Sequence, residues 1–124
     1  MTQEKPPQLD PALVQALVGS AHADLGEVHA LLEHDPALVN AAWDWGGDDW
    51  ETALGAASHM HNREIALFLL DHGARLDIFA AAMLGYVDVV RAMLAVRPEL
   101  REAAGPHGIP LASHATADVL ELLR

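Results

Sequence analysis

The polar stretch at residues 40–51 holds the side chains with the clearest binding chemistry. It carries all three tryptophans of the protein, interleaved with carboxylates. Exposed indole faces attract cations, each contact being worth ~1 kcal/mol, and neighbouring carboxylates add to that attraction. The pattern therefore predicts a surface for a basic, partly apolar peptide. The predicted contact residues of this stretch are Trp43, Asp44, Trp45, Asp48, Asp49 and Trp50.

Two alternative roles for the same tryptophans stay open at this point. One or two of the indole rings fold back and cover a neighbouring apolar surface, in which case the stretch only packs. Alternatively, the rings stack on a carbohydrate or another small ligand. All three roles use the same indole surfaces, so the residue types alone favour none of them decisively.

The eight histidines of the protein raise the question of a metal site. The closest pair is His59 and His61, but residues two apart on a helix point in different directions and do not share one ion easily. His22, His107 and His114 have no acidic or histidine neighbour at ligand spacing in the sequence. The chain also contains no cysteine. We therefore expect no metal and no cofactor.

A catalytic constellation is equally hard to find. Ser20, Ser58 and Ser113 are not part of a glycine-flanked nucleophile turn, and there is no cysteine nucleophile. The Gly-Gly-Asp-Asp of residues 46–49 would repel a phosphate instead of cradling it. Its two adjacent carboxylates lie in a predicted exposed turn, where nothing shifts a pKa for acid–base work. The sequence predicts a protein that is not an enzyme.

The net charge of −11 is unevenly distributed. Residues 1–62 carry ten acidic side chains against the single cation Lys5, whereas residues 63–124 carry eight against six arginines. Such a chain repels nucleic acid phosphates, so we expect no nucleic acid partner. A basic protein partner would be steered to the N-terminal half. The longest apolar run, at residues 78–84, is too short for a membrane span, and with no export signal recognised we expect a cytoplasmic protein.

The chain contains an internal repeat. Residues 28–42 and 90–104 are identical at seven of fifteen positions, and all seven are apolar or proline. A third copy of the helical part lies at residues 65–73. Preserved apolar positions with drifting polar ones indicate a stacked array, in which each unit buries its apolar face against its neighbours.

Local signals divide this array into short helices. Asp10, Thr52 and Asn62 are suited to capping the first turns of helices, and Gly73 is suited to a left-handed C-terminal cap. The glycine pair at residues 46–47 predicts a short hairpin between the tryptophans. We expect eight short helices in four pairs and no core strand.

Two segments carry a resemblance to a known family. Residues 52–57 read Thr-Ala-Leu-Gly-Ala-Ala, and residues 64–77 read Glu-Ile-Ala-Leu-Phe-Leu-Leu-Asp-His-Gly-Ala-Arg-Leu-Asp. These segments resemble the ankyrin repeat, a unit of about 33 residues in which Thr-Pro-Leu-His-x-Ala opens the first helix. Ala53 and Gly55 replace the proline and histidine of that pattern. The 38-residue spacing from Leu32 to Leu70 indicates a lengthened hairpin, and the 24-residue spacing from Leu70 to Leu94 indicates a missing one.

The resemblance implies an all-α, ankyrin-like solenoid of about four helix-turn-helix units with short hairpin loops. One domain would cover residues 10–124, after a disordered leader at residues 1–9. The units would span approximately residues 11–42, 50–77, 78–104 and 109–124.

Arrays of this kind bind proteins through hairpin tips and the first helix of each pair. The resemblance therefore implies a non-catalytic protein–protein interaction scaffold with a cationic protein partner. In the second unit it adds four predicted contact residues, Ser58, His59, Met60 and His61. Leucines at residues 120, 122 and 123 lie near an unfinished edge of the array, which gives weak self-association as a further alternative.

Overall fold

The computed structural model describes residues 5–124, which are mostly helical and contain one small sheet. This confirms the predicted predominance of helix. The elements in chain order are α1 (Pro11–Ser20), α2 (Leu25–His34), β1 (Ala42–Asp44), β2 (Trp50–Thr52), α3 (Ala53–His59), α4 (Arg63–Asp71), α5 (Ile78–Leu84), α6 (Val87–Val96), α7 (Leu111–His114) and α8 (Ala117–Leu122).

The predicted capping residues start the helices as expected. The side chain of Asp10 accepts from the backbone N–H of Ala12 at 2.9 Å, at the start of α1. Thr52 and Asn62 do the same for α3 and α4, at 2.9 and 3.0 Å. Each of these bonds satisfies a backbone donor that the helix leaves free. Gly73 follows α4 with a φ of +99°, which is the predicted left-handed cap.

The internal repeat is also a repeat in structure. A 3₁₀ helix begins at the repeated proline in each copy, covering Pro36–Asn40 and Pro98–Glu102. The alanine that follows each 3₁₀ helix, Ala41 or Ala103, has nearly the same backbone angles in both copies, φ −68° and ψ 147° against φ −67° and ψ 145°. This short helix was not predicted from the sequence.

The two copies lead into hairpins of different length. After the first copy, β1 pairs with β2 antiparallel, with Trp43 opposite Glu51. After the second copy, a single bridge joins Ala104 to Pro110. The predicted tryptophan hairpin is thereby confirmed, and its turn uses positive φ at Gly46 and Gly47.

The helix pairs contact one another in chain order. The first helices of the four pairs are α1, α3, α5 and α7, and each contacts the next. Apolar residues from α1 to α5 form the main core, and a second core joins α5 to α8. Between α4 and α5 the chain passes from Gly73 to Asp77 without a hairpin, as the repeat spacing predicted.

The N-terminal segment was predicted to be a disordered leader. Residues 1–4 lie outside the described residues, and residues 5–9 carry no regular secondary structure. Leu9 nevertheless packs against the main core. In the part of the chain that the structure describes, no helix combines the length and apolarity needed to cross a bilayer.

A buried histidine in the second core leads to a prediction about pH. His114 is 1% exposed, and its Nδ1 donates to the carbonyl oxygen of Pro110 at 2.9 Å. Burial lowers the pKa of His114, and the nearby charge of His61 acts in the same direction, against the effects of the Pro110 carbonyl and Asp77. The unfolded chain therefore binds a proton at this residue at higher pH than the folded chain does.

We expect the free energy of unfolding to decrease by up to ~1.4 kcal/mol as the pH falls from about 7.5 to about 5.5, because the unfolded chain takes up the His114 proton at a higher pH than the folded chain does. Urea unfolding of the wild type and of His114→Gln, at both pH values, measures the effect. The glutamine keeps a hydrogen-bond donor but does not titrate, so its pH dependence should be shallower. Equal pH dependence in the two proteins would contradict the assignment to His114.

Candidate functional site

Three histidines surround one buried carboxylate where the tryptophan hairpin meets the ends of α1 and α3. The carboxylate belongs to Glu51, the middle residue of β2, which is 1% exposed. Alternate residues of a strand point to opposite faces, so Glu51 points inward while its neighbour Trp50 points outward. The histidines are His22, His59 and His107, and we call these four residues the His/Glu cluster.

The distances within the cluster are short. His22 Nε2 lies 3.3 Å from Glu51 Oε1. His59 Nε2 and His107 Nε2 lie 2.9 and 3.3 Å from Glu51 Oε2. The indole N–H of Trp45 donates to Glu51 Oε1 at 2.9 Å. All four candidate ligand atoms lie within 4.8 Å of one another.

Contacts at Nδ1 orient the rings of His22 and His107. His22 follows the end of α1, and its Nδ1 lies 3.0 Å from the carbonyl oxygens of both Val18 and Gly19. His107 has a φ of +61° in the loop between α6 and α7. Asp49 accepts from the backbone N–H of His107 at 2.8 Å and contacts its Nδ1 at 2.6 Å. Both rings therefore present Nε2 to Glu51.

The loop that carries His107 contacts the tryptophan hairpin directly. The loop that carries His107 and the tryptophan hairpin belong to units that are two steps apart, and the α4–α5 connection between them has no hairpin. Pro106 then packs on the start of α3, where a Cβ atom on Gly55 would lie 3.3 Å from Pro106 Cγ. The glycine that departs from the ankyrin pattern thus leaves room for this loop.

The surroundings shift the pKa values of Asp49, His107 and His59 in different directions. The backbone and side-chain hydrogen bonds of His107 hold the pKa of Asp49 below its ordinary value. Burial alone would lower the pKa of His107, but the hydrogen bond to Asp49 and the charge of Glu51 outweigh burial and raise it. Burial lowers the pKa of His59, although the charge of Glu51 opposes that shift.

Two buried polar atoms at the centre of the cluster are not satisfied. Glu51 Oε2 and His59 Nε2 make no aligned hydrogen bond to any described residue, despite their close approach. Leaving such groups unpaired in a protein interior is costly, so they call for an explanation. Chemically, three imidazoles and a carboxylate are a set of donors that suits a divalent transition metal.

The structure corrects the sequence-based view of the histidines. His22 and His107 have no acidic or histidine neighbour at ligand spacing in the sequence, but folding brings both against Glu51. Spacing could not reveal this, since the partners lie far apart in the chain. The missing hairpin and the unusual Gly55 were the signals present in the sequence. His114 is not a member of the cluster.

Among the predicted contact residues of the hairpin, two tryptophans are exposed to solvent, whereas Trp43 and Asp44 contribute to packing and to the shape of the turn. Trp50 is 56% exposed and its indole N–H donates to Asp48 at 2.7 Å, while Trp45 is 39% exposed. Trp43 is half-buried and packs against the main core, so packing is part of its role. Asp44 accepts from the backbone N–H groups of Gly46 and Asp49 and thereby shapes the turn.

Of the four predicted contact residues at the end of α3, two are exposed to solvent and two are turned away from it. Met60 and His61 are exposed. Ser58 is fully buried, with its hydroxyl donating to the carbonyl oxygen of Leu54 at 2.7 Å, so its prediction as a surface contact is wrong. The side chain of His59 is only 9% exposed and faces Glu51, so it too is withdrawn from the surface.

An open groove lies on the outer side of the hairpin, against the N-terminal segment. Its volume is about 620 Å³. Apolar side chains form most of its walls, and the acidic side chain of Asp44 lies at its edge. The groove is lined by Gln8, Leu9, Pro11, Val14, Ala42, Trp43, Asp44 and Trp50.

Comparison of the chain with protein-family models, with curated proteins and with solved structures finds no match in any of the three.

Proposed function

We propose that the protein is a non-catalytic, cytoplasmic interaction module of ankyrin-like architecture, which binds a cationic protein segment beside its tryptophan hairpin. The observation that carries the proposal is the exposed indole of Trp50, which is paired with Asp48 and lines the groove at the N-terminal segment. An aromatic side chain left in solvent beside an acidic group is typical of a binding anchor.

The ankyrin-like architecture has support from the packing. Successive first helices contact one another, and in two units an α-helix is followed by the same 3₁₀ helix. Arrays of this kind present loops on a rigid scaffold, and loops so presented tolerate the variation that binding surfaces need.

The charge of the surface supports a cationic occupant. Residues 1–62 carry ten acidic side chains and one lysine, and the groove lies within this half. Asp44 and Asp48 lie beside Trp43 and Trp50. A segment with alternating arginine and leucine side chains would place guanidinium groups over the indoles and carboxylates while its apolar groups enter the groove.

A double variant tests the surface with little disturbance of the fold. Trp50→Ala removes the exposed anchor. Asp48→Asn removes a charge at a residue whose φ is +67°, a conformation that asparagine tolerates. Calorimetric titration with a synthetic peptide of alternating Arg and Leu should show saturable binding to the wild type. The double variant should bind at least about tenfold more weakly, and its melting temperature should change by less than about 3 °C.

Two controls make this test specific. Val96→Ala removes an apolar side chain that is 80% exposed on α6, far along the chain, and should bind as the wild type does. A peptide with Glu in place of Arg should not bind. Equal binding of the two peptides, or equal loss in the Val96 control, would contradict the proposal.

The two alternative functions, small-ligand binding and self-association, predict different experimental results. A saturable change in tryptophan fluorescence with a glycan or metabolite panel, abolished by Trp50→Ala, would favour the small-ligand role. A molar mass that increases with concentration in light scattering would favour self-association through the edge at Leu120, which is 39% exposed.

A further inference from the structure

The His/Glu cluster has no role in the proposed peptide surface, and its geometry needs an explanation of its own. Glu51 is a carboxylate with its side chain fully removed from solvent. An isolated buried carboxylate is strongly unfavourable, so it needs a cation or several donors. Apart from the indole N–H of Trp45, the groups that face it are imidazole Nε2 atoms.

Hydrogen bonding at the far side of the rings fixes which nitrogen carries the hydrogen in the neutral forms of His22 and His107. The Nδ1 of His22 faces two carbonyl oxygens, and the Nδ1 of His107 faces the Asp49 carboxylate. These oxygens only accept, so each Nδ1 carries the hydrogen. In the neutral imidazole, Nε2 then has a lone pair, and that lone pair points at the lone pairs of Glu51. Such an arrangement is stable only with a positive charge between the atoms, either a metal ion or a proton on Nε2.

We propose that His22, His59, His107 and Glu51 bind one divalent transition metal ion of the zinc class, through the three Nε2 atoms and a carboxylate oxygen. Two ligands of a tetrahedral zinc ion, each about 2.0–2.2 Å from it, are about 3.3 Å apart. Glu51 Oε1 lies 3.3 Å from His22 Nε2, and Glu51 Oε2 lies 2.9 and 3.3 Å from the Nε2 atoms of His59 and His107. These three carboxylate–imidazole separations are close to those between ligands in a coordination shell.

The groups around the four ligands match those found around metal sites. A metal-bound histidine almost always donates its other ring N–H to a carboxylate or a carbonyl, which is the arrangement of His107 with Asp49 and of His22 with Val18. Trp45 donates to Glu51 in the same way. An ion would also satisfy Glu51 Oε2 and His59 Nε2, the two unpaired atoms.

The metal would join four parts of the chain. His22 follows α1, Glu51 lies in β2, His59 ends α3, and His107 lies in the loop before α7. Because the unfolded chain does not hold these residues together, binding energy at this site becomes folding energy. The ion would therefore fix the tryptophan hairpin against the rest of the array.

The test uses the full-length, untagged protein, first treated with a chelator and then titrated with Co²⁺ alone. Tetrahedral Co²⁺ has visible absorption bands, and bound Co²⁺ should quench Trp45, whose ring centroid is 6.4 Å from those of His22 and His107. We expect saturation at one ion per chain, displacement by Zn²⁺, and a higher melting temperature with Zn²⁺.

Glutamine variants distinguish a metal-binding role of His22 and His107 from a role as hydrogen-bond donors to Glu51. His107→Gln and His22→Gln keep an amide N–H that can donate to Glu51, but they remove the imidazole lone pair. Each should weaken Co²⁺ binding at least about tenfold, since loss of groups even one step removed from a metal costs that much. His34→Gln alters an exposed histidine outside the cluster and should bind as the wild type does.

Other outcomes would overturn the proposal. If the wild type shows no saturable Co²⁺ spectrum at micromolar concentrations, protonated histidines compensate Glu51 and the cluster is a buried ion pair. If His107→Gln and His22→Gln bind Co²⁺ as tightly as the wild type, the ion lies elsewhere. A single variant that circular dichroism shows to be folded is enough to decide whether the ion binds at these histidines. Neither result bears on peptide binding at Trp50.

Discussion

Leu69→Ala is expected to lower the free energy of unfolding by about 2–5 kcal/mol. Leu69 lies on α4 and is fully buried in the main core, so truncation leaves a cavity as well as removing apolar contact. A domain of this size has a total stability of only about 5–15 kcal/mol. The variant should therefore be partly unfolded at modest urea concentrations, as measured by circular dichroism.

Leu67→Ala is the matched control on the same helix. Leu67 is 39% exposed, and its truncation should cost about 1 kcal/mol or less. All three tryptophans lie in the hairpin, so fluorescence reports on that region while circular dichroism reports on all helices. Equal losses in the two variants would mean that α4 does not pack as described.

Glu51→Ala should give the second large effect, a loss of about 2–4 kcal/mol in the free energy of unfolding. The substitution leaves the indole N–H of Trp45 without its acceptor and opens a cavity among the three histidines. It also removes one of the contacts between the hairpin and the loop at His107, where Asp49 remains bound. The tryptophan fluorescence transition should move to lower urea than in the wild type.

Glu33→Ala provides the comparison for the removal of one acidic side chain. Its carboxylate is 79% exposed and lies 3.8 Å from His29 in an exposed pair. Its removal should change the free energy of unfolding by no more than about 0.5 kcal/mol. If Glu51→Ala were equally mild, the buried carboxylate would contribute little to the hairpin's position.

The helices and their ends were predictable because their signals are local. Proline, aspartate and asparagine at the first turns, and Gly73 at a left-handed cap, act through bonds to residues a few positions away. The repeat of residues 28–42 at 90–104 predicted two equivalent segments, and both contain the same short helix after the shared proline. The glycine pair between tryptophans predicted the hairpin for the same local reason.

The binding surface could be predicted only in part. Residue type predicted that exposed tryptophans and carboxylates occur together, and Trp50 with Asp48 fits that description. Ser58 and His59 were assigned to a surface because of their place on a first helix, but burial depends on what packs against that helix. Pro106 packs beside Gly55 there, and a contact between residues so far apart in the chain cannot be predicted from the residues next to either of them.

The sequence by itself determined the short helices, their order, the repeated core positions and the acidic character of the N-terminal half, because each depends on neighbouring residues or on simple counts. Tertiary structure alone decided that His22, His59 and His107 surround Glu51. Two loops meet there although Asp49 and His107 are 58 residues apart in the chain. Contacts over such distances depend on how all the intervening units stack, and not on the spacing of the residues that meet.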